Sequence, residues 1–233
     1  MKIIKIPTSQ GCLGKNIGCE KAPNLISEEG ETIGINQEDL IERNKELENI
    51  KGDIFIGGEH SISYPLVKGF VKENENPGLI VFDAHPDCVS NFNPPTHEDF
   101  IKVLVENKII LPERILLIGL RKIHGIEKKF LDKRKINYIL FEDIKDNQEI
   151  INKINSFSED KNIYLSVDID VLNPNEAPGT GYLEEGGMKL EDLIKILKKI
   201  RNIKRVDLVE INPDKDIDGK TVNAGKRILE VFV

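Results

Sequence analysis

The stretch Leu79 to Asp87, LIVFDAHPD, decides how the fold is read, because an unbroken apolar run passes directly into three side chains able to bind a metal. Leu79 to Phe82 read as a strand buried on both faces, and strands of that kind belong to parallel sheets covered by helices. Asp83, His85 and Asp87 follow with a period of two, so continuing extended backbone would send all three from one side. Carboxylates are scarce in strands and costly to bury unless something positive neutralises them, and a metal ion is the simplest neutraliser. Taken singly, each residue has an ordinary structural use: Asp83 can start a turn, His85 can be a half-buried histidine, and Asp87 can cap a loop.

Two further runs repeat the design. Ile163 to Asp170, IYLSVDID, ends in Asp168 and Asp170, again two apart and on one face if extended. The run from Asp53, DIFIGG, ends at Glu59 and His60, with Gly57 and Gly58 allowing a tight backbone turn. Three strands therefore finish in oxygen or imidazole ligands. In open α/β sheets the carboxyl ends of neighbouring strands form the crevice where ligands bind.

Outward from these strands the chain alternates strand and helix, which predicts α/β architecture: a three-layer α/β/α arrangement with a mainly parallel sheet. MKIIKI reads as a first strand, Thr8 to Gly18 as a loop, and Ala22 to Ile26 as a short helix. Asn36 to Asn49 reads as a solvated helix. Ser61 or Ser63 is placed to cap the next helix, with Pro65 in its first turn. Cys88 to Thr96, rich in proline and asparagine, reads as a substrate loop beside the ligands, followed by a helix over His97 to Asn107. Strands are expected at Ile115 to Gly119 and Tyr138 to Phe141, and helices at Ile126 to Lys133 and Asp146 to Phe157. After Asp170 comes LNPNEAPGTGYLEEGG, a Pro/Gly-rich loop long enough to imply a functional role. Leu193, Ile194, Leu197 and Ile200 define an amphipathic helix over Leu190 to Ile203, and core packing explains their stripe. Val206 to Ile211 is a last strand carrying Glu210 near the same edge, and a helix from Thr221 closes the chain. No internal repeat or linker breaks residues 1–233, and they are expected to form a single domain.

Composition narrows the partners. With 33 basic against 40 acidic residues the formal charge is −7, which argues against nucleic-acid binding and suits a cationic ligand. Cys12, Cys19 and Cys88 are an odd number without CxxC spacing, so neither a disulfide framework nor a zinc ribbon is expected, and a reducing cytoplasm is the default location. No apolar run approaches the roughly 18 residues that span a bilayer, and the apolar stretch at the amino terminus is short for a signal peptide.

With these residues in view, the chain resembles the ureohydrolase family, the arginases and agmatinases. GGEHS at Gly57 to Ser61 is similar to the family's GGDHS, and DAHPD at Asp83 to Asp87 matches DAHxD. SVDIDVLNPNEAPGTGYLEEGG at Ser166 to Gly187 resembles SxDxDxxDPxxAPGTGTPxxGG. DLVEINP at Asp207 to Pro213 corresponds to a late glutamate-bearing strand, and IGLR at Ile118 to Arg121 to IGIR. The resemblance implies the arginase-like fold and two Mn²⁺ ions held by His60, Asp83, His85, Asp87, Asp168 and Asp170, with Asp83 and Asp168 bridging. An oxygen-rich set of four carboxylates and two imidazoles is independently better suited to Mn²⁺ than to structural zinc.

The activity so implied is hydrolysis of a guanidino or amidine C–N bond by a metal-bridging hydroxide, giving urea and an amine. Asp87 would orient the nucleophile and pass a proton, Glu210 would bind substrate N–H groups, and His97 would shuttle protons; His124 has no motif around it and reads as a surface residue. His97 lies in register with the family's loop histidine when counted back from Pro112-Glu113-Arg114, although Glu98 follows it where glycine is usual. Val89 stands where arginases carry an asparagine that reads the amino-acid head group, which favours agmatine over arginine. Asn173, Tyr182-Leu183 and Glu59 also depart from the pattern. The chain is compact for the family, and a homo-oligomer whose neighbour supplies part of the substrate wall is expected. The competing readings are an arginase or formimidoylglutamase, a metal-binding protein without turnover, and a mononuclear zinc deacetylase.

Overall fold

A computed structural model describes all residues, 1–233. Eight strands form one sheet: β1 (Ile3–Ile6), β2 (Glu31–Thr32), β3 (Ile54–Gly57), β4 (Pro77–Phe82), β5 (Ile115–Leu120), β6 (Asn137–Leu140), β7 (Asn162–Asp168) and β8 (Ile203–Val209). All pairings are parallel, in the order β2-β1-β3-β8-β7-β4-β5-β6. Parallel neighbours need crossovers, and the helices supply them: α1 (Ala22–Ile26), α2 (Leu40–Glu48), α3 (Ser63–Glu73), α4 (Phe100–Glu106), α5 (Gly125–Arg134), α6 (Asn147–Ser158), α7 (Leu190–Leu197) and α8 (Lys220–Leu229).

The continuous apolar runs are explained by the two cores they serve. Ile80 and Phe82 of β4, with Leu165 and Val167 of β7, pack on the side of α1, α6, α7 and α8. Leu79 and Val81 face the opposite way and join Tyr164, Leu47 of α2, Phe70 of α3, Phe100 of α4 and Leu131 of α5. Alternate side chains thus feed opposite layers, and both faces of the sheet are dry. No helix is long and apolar enough to cross a membrane.

The chain leaves β3 and enters β4 three places along the sheet, because β8 and β7 later fill the gap. That change of direction opens a crevice above the carboxyl ends of four adjacent central strands, β3, β8, β7 and β4.

Several expected boundaries move, each for a physical reason. The apolar period that carried the expected helix to Ile203 continues after the helix has ended: α7 stops at Leu197, Asn202 turns the chain with φ +63°, and Ile203 already belongs to β8. The helix expected from His97 begins at Phe100, because the buried Asp99 accepts from Thr96 N (2.7 Å) and Thr96 Oγ1 (2.8 Å) and folds a turn there. The helix read as solvated hides Arg43 completely. Neither serine caps α3; Ser63 Oγ donates instead to Asp207 at 2.6 Å. Gly57 and Gly58 are needed for close approach rather than for a turn, since a Cβ on Gly58 would lie 1.9 Å from the Thr8 carbonyl oxygen. The two-residue edge strand β2 is exposed and carries no apolar signal.

Candidate active site

Each of the four central strands delivers a polar group at or just past its last residue. After β3, Glu59 opens a single helical turn, His60 to Ile62, and turns His60 into the crevice. After β4, extended backbone stops at Phe82, so the expected period-two ladder does not form; Asp87 is reached through a loop and adopts φ +50°. After β7, a turn over Ile169 to Val171 replaces the expected extension, with Asp168 Oδ1 accepting from Asp170 N at 2.8 Å. After β8, Glu210 adopts φ +67°. Left-handed backbone at two non-glycine residues stores strain of about 1–3 kcal/mol each, which the surrounding packing must hold.

These turns bring the expected ligands together. His60 Nδ1 faces Asp83 Oδ2, Asp87 Oδ2 and Asp168 Oδ2, each at 3.2 Å. His85 Nδ1 lies 2.9 Å from Asp170 Oδ2 and 3.5 Å from Asp83 Oδ1. Asp83 therefore turns one oxygen to each histidine and belongs to both triads, His60–Asp83–Asp168 and Asp83–His85–Asp170. All four aspartates and His60 are buried.

The tautomer of His60 tests whether this set fits a cation. Ser166 Oγ donates to Asp207 Oδ1 at 2.5 Å, which leaves its oxygen to accept from His60 Nε2 at 2.9 Å. Neutral His60 then presents a bare lone pair at Nδ1 to three carboxylate oxygens, and that buried nitrogen has no hydrogen-bond partner. Four electron-rich atoms converge on one point, and positive charge is what the arrangement lacks. Burial opposes charging of the His60 ring, yet Asp168, Asp83 and Asp87 raise it well above the ordinary histidine range. Burial and then the neighbouring Asp83 push the Asp87 carboxyl up to about 7. Burial, then Asp170 and Asp83, hold Asp168 well above the usual carboxylate range. Repulsion of this kind is what divalent cations relieve. The donor set fits such ions.

A cleft of about 390 Å³ opens over the triads. His97 and Glu210 line it, paired through His97 Nδ1 and Glu210 Oε1 at 3.3 Å. Burial works against protonation of His97, but Glu210 raises it to about 9. Glu210 is buried rather than a surface carboxylate: Oε1 accepts from His60 N at 2.7 Å and Oε2 from Asn16 Nδ2 at 2.6 Å. His124, expected at the surface, is exposed, and it also lines the cleft.

Three supporting residues had no legible signal. Asn16 reaches Glu210 across 194 positions of sequence, Asp99 shapes the loop before α4, and the buried Glu127 accepts from Cys88 N at 3.0 Å and His124 N at 2.9 Å. Only Ser166 and Asp207, inside quoted motifs, could have been proposed as partners of His60. Glu59, counted among the strand-end ligands, does not join the triads and is bound to Arg43 at 2.8 Å.

A model of the arginase family matches residues 36–233. The chain belongs to the arginase family. Among curated members, an agmatinase of Bacillus subtilis is 30% identical over 189 residues, covering 78% of this chain and 63% of that protein. The chain thus spans less than two thirds of that relative. An arginase of Staphylococcus aureus is 29% identical over 223 residues, covering 87% of this chain and 74% of that one. The arginase-family fold is matched by the crystal structure of arginase from Bacillus subtilis, with a TM-score of 0.87, 22% identity, and coverage of 99% of this chain and 97% of that chain.

Proposed function

We propose that residues 1–233 form a single-domain binuclear manganese hydrolase that releases urea from a small cationic guanidino compound, agmatine before arginine. The observation that carries this reading is His60 Nδ1, buried without a partner and 3.2 Å from three carboxylate oxygens. His60, Asp83, Asp87 and Asp168 would hold one Mn²⁺, and Asp83, His85, Asp168 and Asp170 the other. When bound, such a pair supplies the charge that lowers the pKa of water to about 7 and so provides a nucleophile at neutral pH.

The chain's own residues do the rest. A carboxylate has about four acceptor directions, and those of Glu210 are partly used by His60 N–H, His97 and Asn16. The remaining capacity suits a guanidinium N–H, a charge-assisted contact. Asp87 would also orient the attacking water and pass one of its protons toward the leaving nitrogen. His97 Nε2, buried on the cleft wall without a partner, would carry the water's other proton to solvent and return one to the released amine.

Val89 on the cleft wall offers no hydrogen bond to an amino-acid head group, which supports agmatine. The likeness to the Staphylococcus aureus arginase keeps arginine as the second reading. Three unpaired cysteines support a cytoplasmic location, and a homo-oligomer would complete the substrate wall.

The test is a product screen with Mn²⁺-loaded protein: urea from agmatine, arginine and guanidinobutyrate, and formamide from formiminoglutamate. Urea from agmatine at the highest kcat/KM, abolished in Asp170→Ala, is the expected result. No product from any of the four would sink the proposal.

A further inference from the structure

Resting on that reading of the cleft, we infer that Glu98, held by Tyr182, binds the far, positively charged end of the substrate and selects guanidino-amines over guanidino-acids. Glu98 lines the cleft immediately beside His97. The His97 ring separates two carboxylates: Nδ1 faces Glu210 at 3.3 Å, and Nε2 lies 3.9 Å from Glu98 Oε1. Glu210 also holds the His60 backbone beside the triads, so it marks the reacting end. Glu98 stands on the other side of the His97 ring and is the more exposed of the two, with side-chain exposures of 29% against 5%.

The walls between them are apolar where a methylene chain would run. The Tyr182 ring stacks on His97 with centroids 6.0 Å apart and meets His85 edge-on at 5.6 Å, so it reaches from the metal-side histidine to the outer one. Val89 lines the same cleft, and its N–H donates to the Glu98 carbonyl at 3.1 Å, which fixes the two residues side by side. The Tyr182 hydroxyl donates to Glu98 Oε1 at 2.7 Å, holding the carboxylate in place while leaving acceptor capacity on Oε2. His97 Nε2, without a partner and 95% buried by its 5% exposure, faces this same part of the cleft.

A substrate ending in a carboxylate would meet the wrong charge. Lys122 is the only lysine or arginine lining the cleft, and it lies 3.8 Å from Glu184 Oε2, while the positive charge on the His97 ring is already paired with Glu210 at 3.3 Å. Glu98 and Glu184 would both repel an acid, whereas an ammonium would gain a charge-assisted contact worth about tenfold or more in affinity.

Calorimetry on Mn²⁺-loaded protein tests this with 1,4-diaminobutane and 4-aminobutanoate, amines that differ at the far end and cannot be hydrolysed. The diamine should bind at least about tenfold tighter; Glu98→Gln should reduce that preference to about threefold or less, and Glu98→Lys should reverse it. Tyr182→Phe should shrink it by an intermediate amount. If Glu98→Lys does not fold by circular dichroism, the near-isosteric Glu98→Gln decides. A preference unchanged in Glu98→Gln, or tighter binding of 4-aminobutanoate by the unaltered protein, would overturn the inference. Urea release from agmatine with a preference indifferent to Glu98 would defeat this inference and spare the proposed activity. A preference lost in Glu98→Gln, with no urea from any guanidino compound, would do the reverse.

Discussion

Glu59 and His60 are adjacent in sequence and equally buried, yet their surroundings are opposites. Glu59 Oε1 accepts from Arg43 Nη1 (2.8 Å) and Ser61 Oγ (2.6 Å), and Oε2 accepts from Ser61 N (2.8 Å). Its charge is neutralised within the chain. His60 Nδ1, by contrast, faces three carboxylates and no donor. Two buried acidic neighbourhoods a single residue apart therefore differ in whether the protein supplies its own cation. The first is a structural ion pair, while the second has the donor set of a candidate ion site.

The sharpest way to break that contrast is to remove a ligand from the open side. Asp168→Ala should cut metal content to below about one hundredth at micromolar Mn²⁺, read by elemental analysis, while leaving the fold intact. Near-normal metal loading would show that the triads are not the ion's site. On the closed side, Arg43→Met strands a buried carboxylate and should cost about 3–5 kcal/mol in chemical denaturation, with metal content retained. The double variant Arg43→Met/Glu59→Gln should recover much of that loss; if it does not, Arg43 is packing rather than compensating charge.

Weaker perturbations sharpen the same comparison. Ser166→Ala frees the His60 ring from its orienting acceptor and should weaken metal binding by about 10- to 100-fold in a competition titration. Stability of chelator-treated protein should depend on pH in a direction fixed by Asp87. Its carboxyl rises from 3.8 to about 7 on folding, so the native state binds the extra proton across that window. Stability from this group is then greatest at low pH and falls as pH climbs from about 4 to 7, whereas Mn²⁺ addition should reverse the slope because binding releases protons. Denaturation midpoints that rise with pH in the metal-free protein would contradict this. The smallest effect belongs to two ion pairs near the surface: the half-buried Glu48, bonded to Lys68 and Lys72, should cost about 1 kcal/mol as Glu48→Gln.

Much of the fold was legible because burial on both faces writes itself into local sequence. Leu79 to Phe82 and Ile163 to Val167 could hardly be anything but interior parallel strands. Boundaries were less legible where apolar spacing outlived the element, as at Ile203, or where a side chain such as Asp99 stopped a helix short. The ligand set was visible as residue types at strand ends, but its proposed geometry was wrong in detail, since loops and helical turns rather than extended backbone aim Asp87 and Asp170.

Sequence alone determined the layered parallel sheet, the strand ends that carry carboxylates and imidazoles, and the arginase-family motifs, because each of these is encoded within a few consecutive residues. Tertiary structure alone decided that Glu59 is neutralised by Arg43 while His60 is not, that Asn16 holds Glu210, and that Tyr182 reaches Glu98. Those pairings join residues 16, 194 and 84 positions apart for Glu59, Glu210 and Glu98, and electrostatic satisfaction depends on distance in space, which no local pattern records.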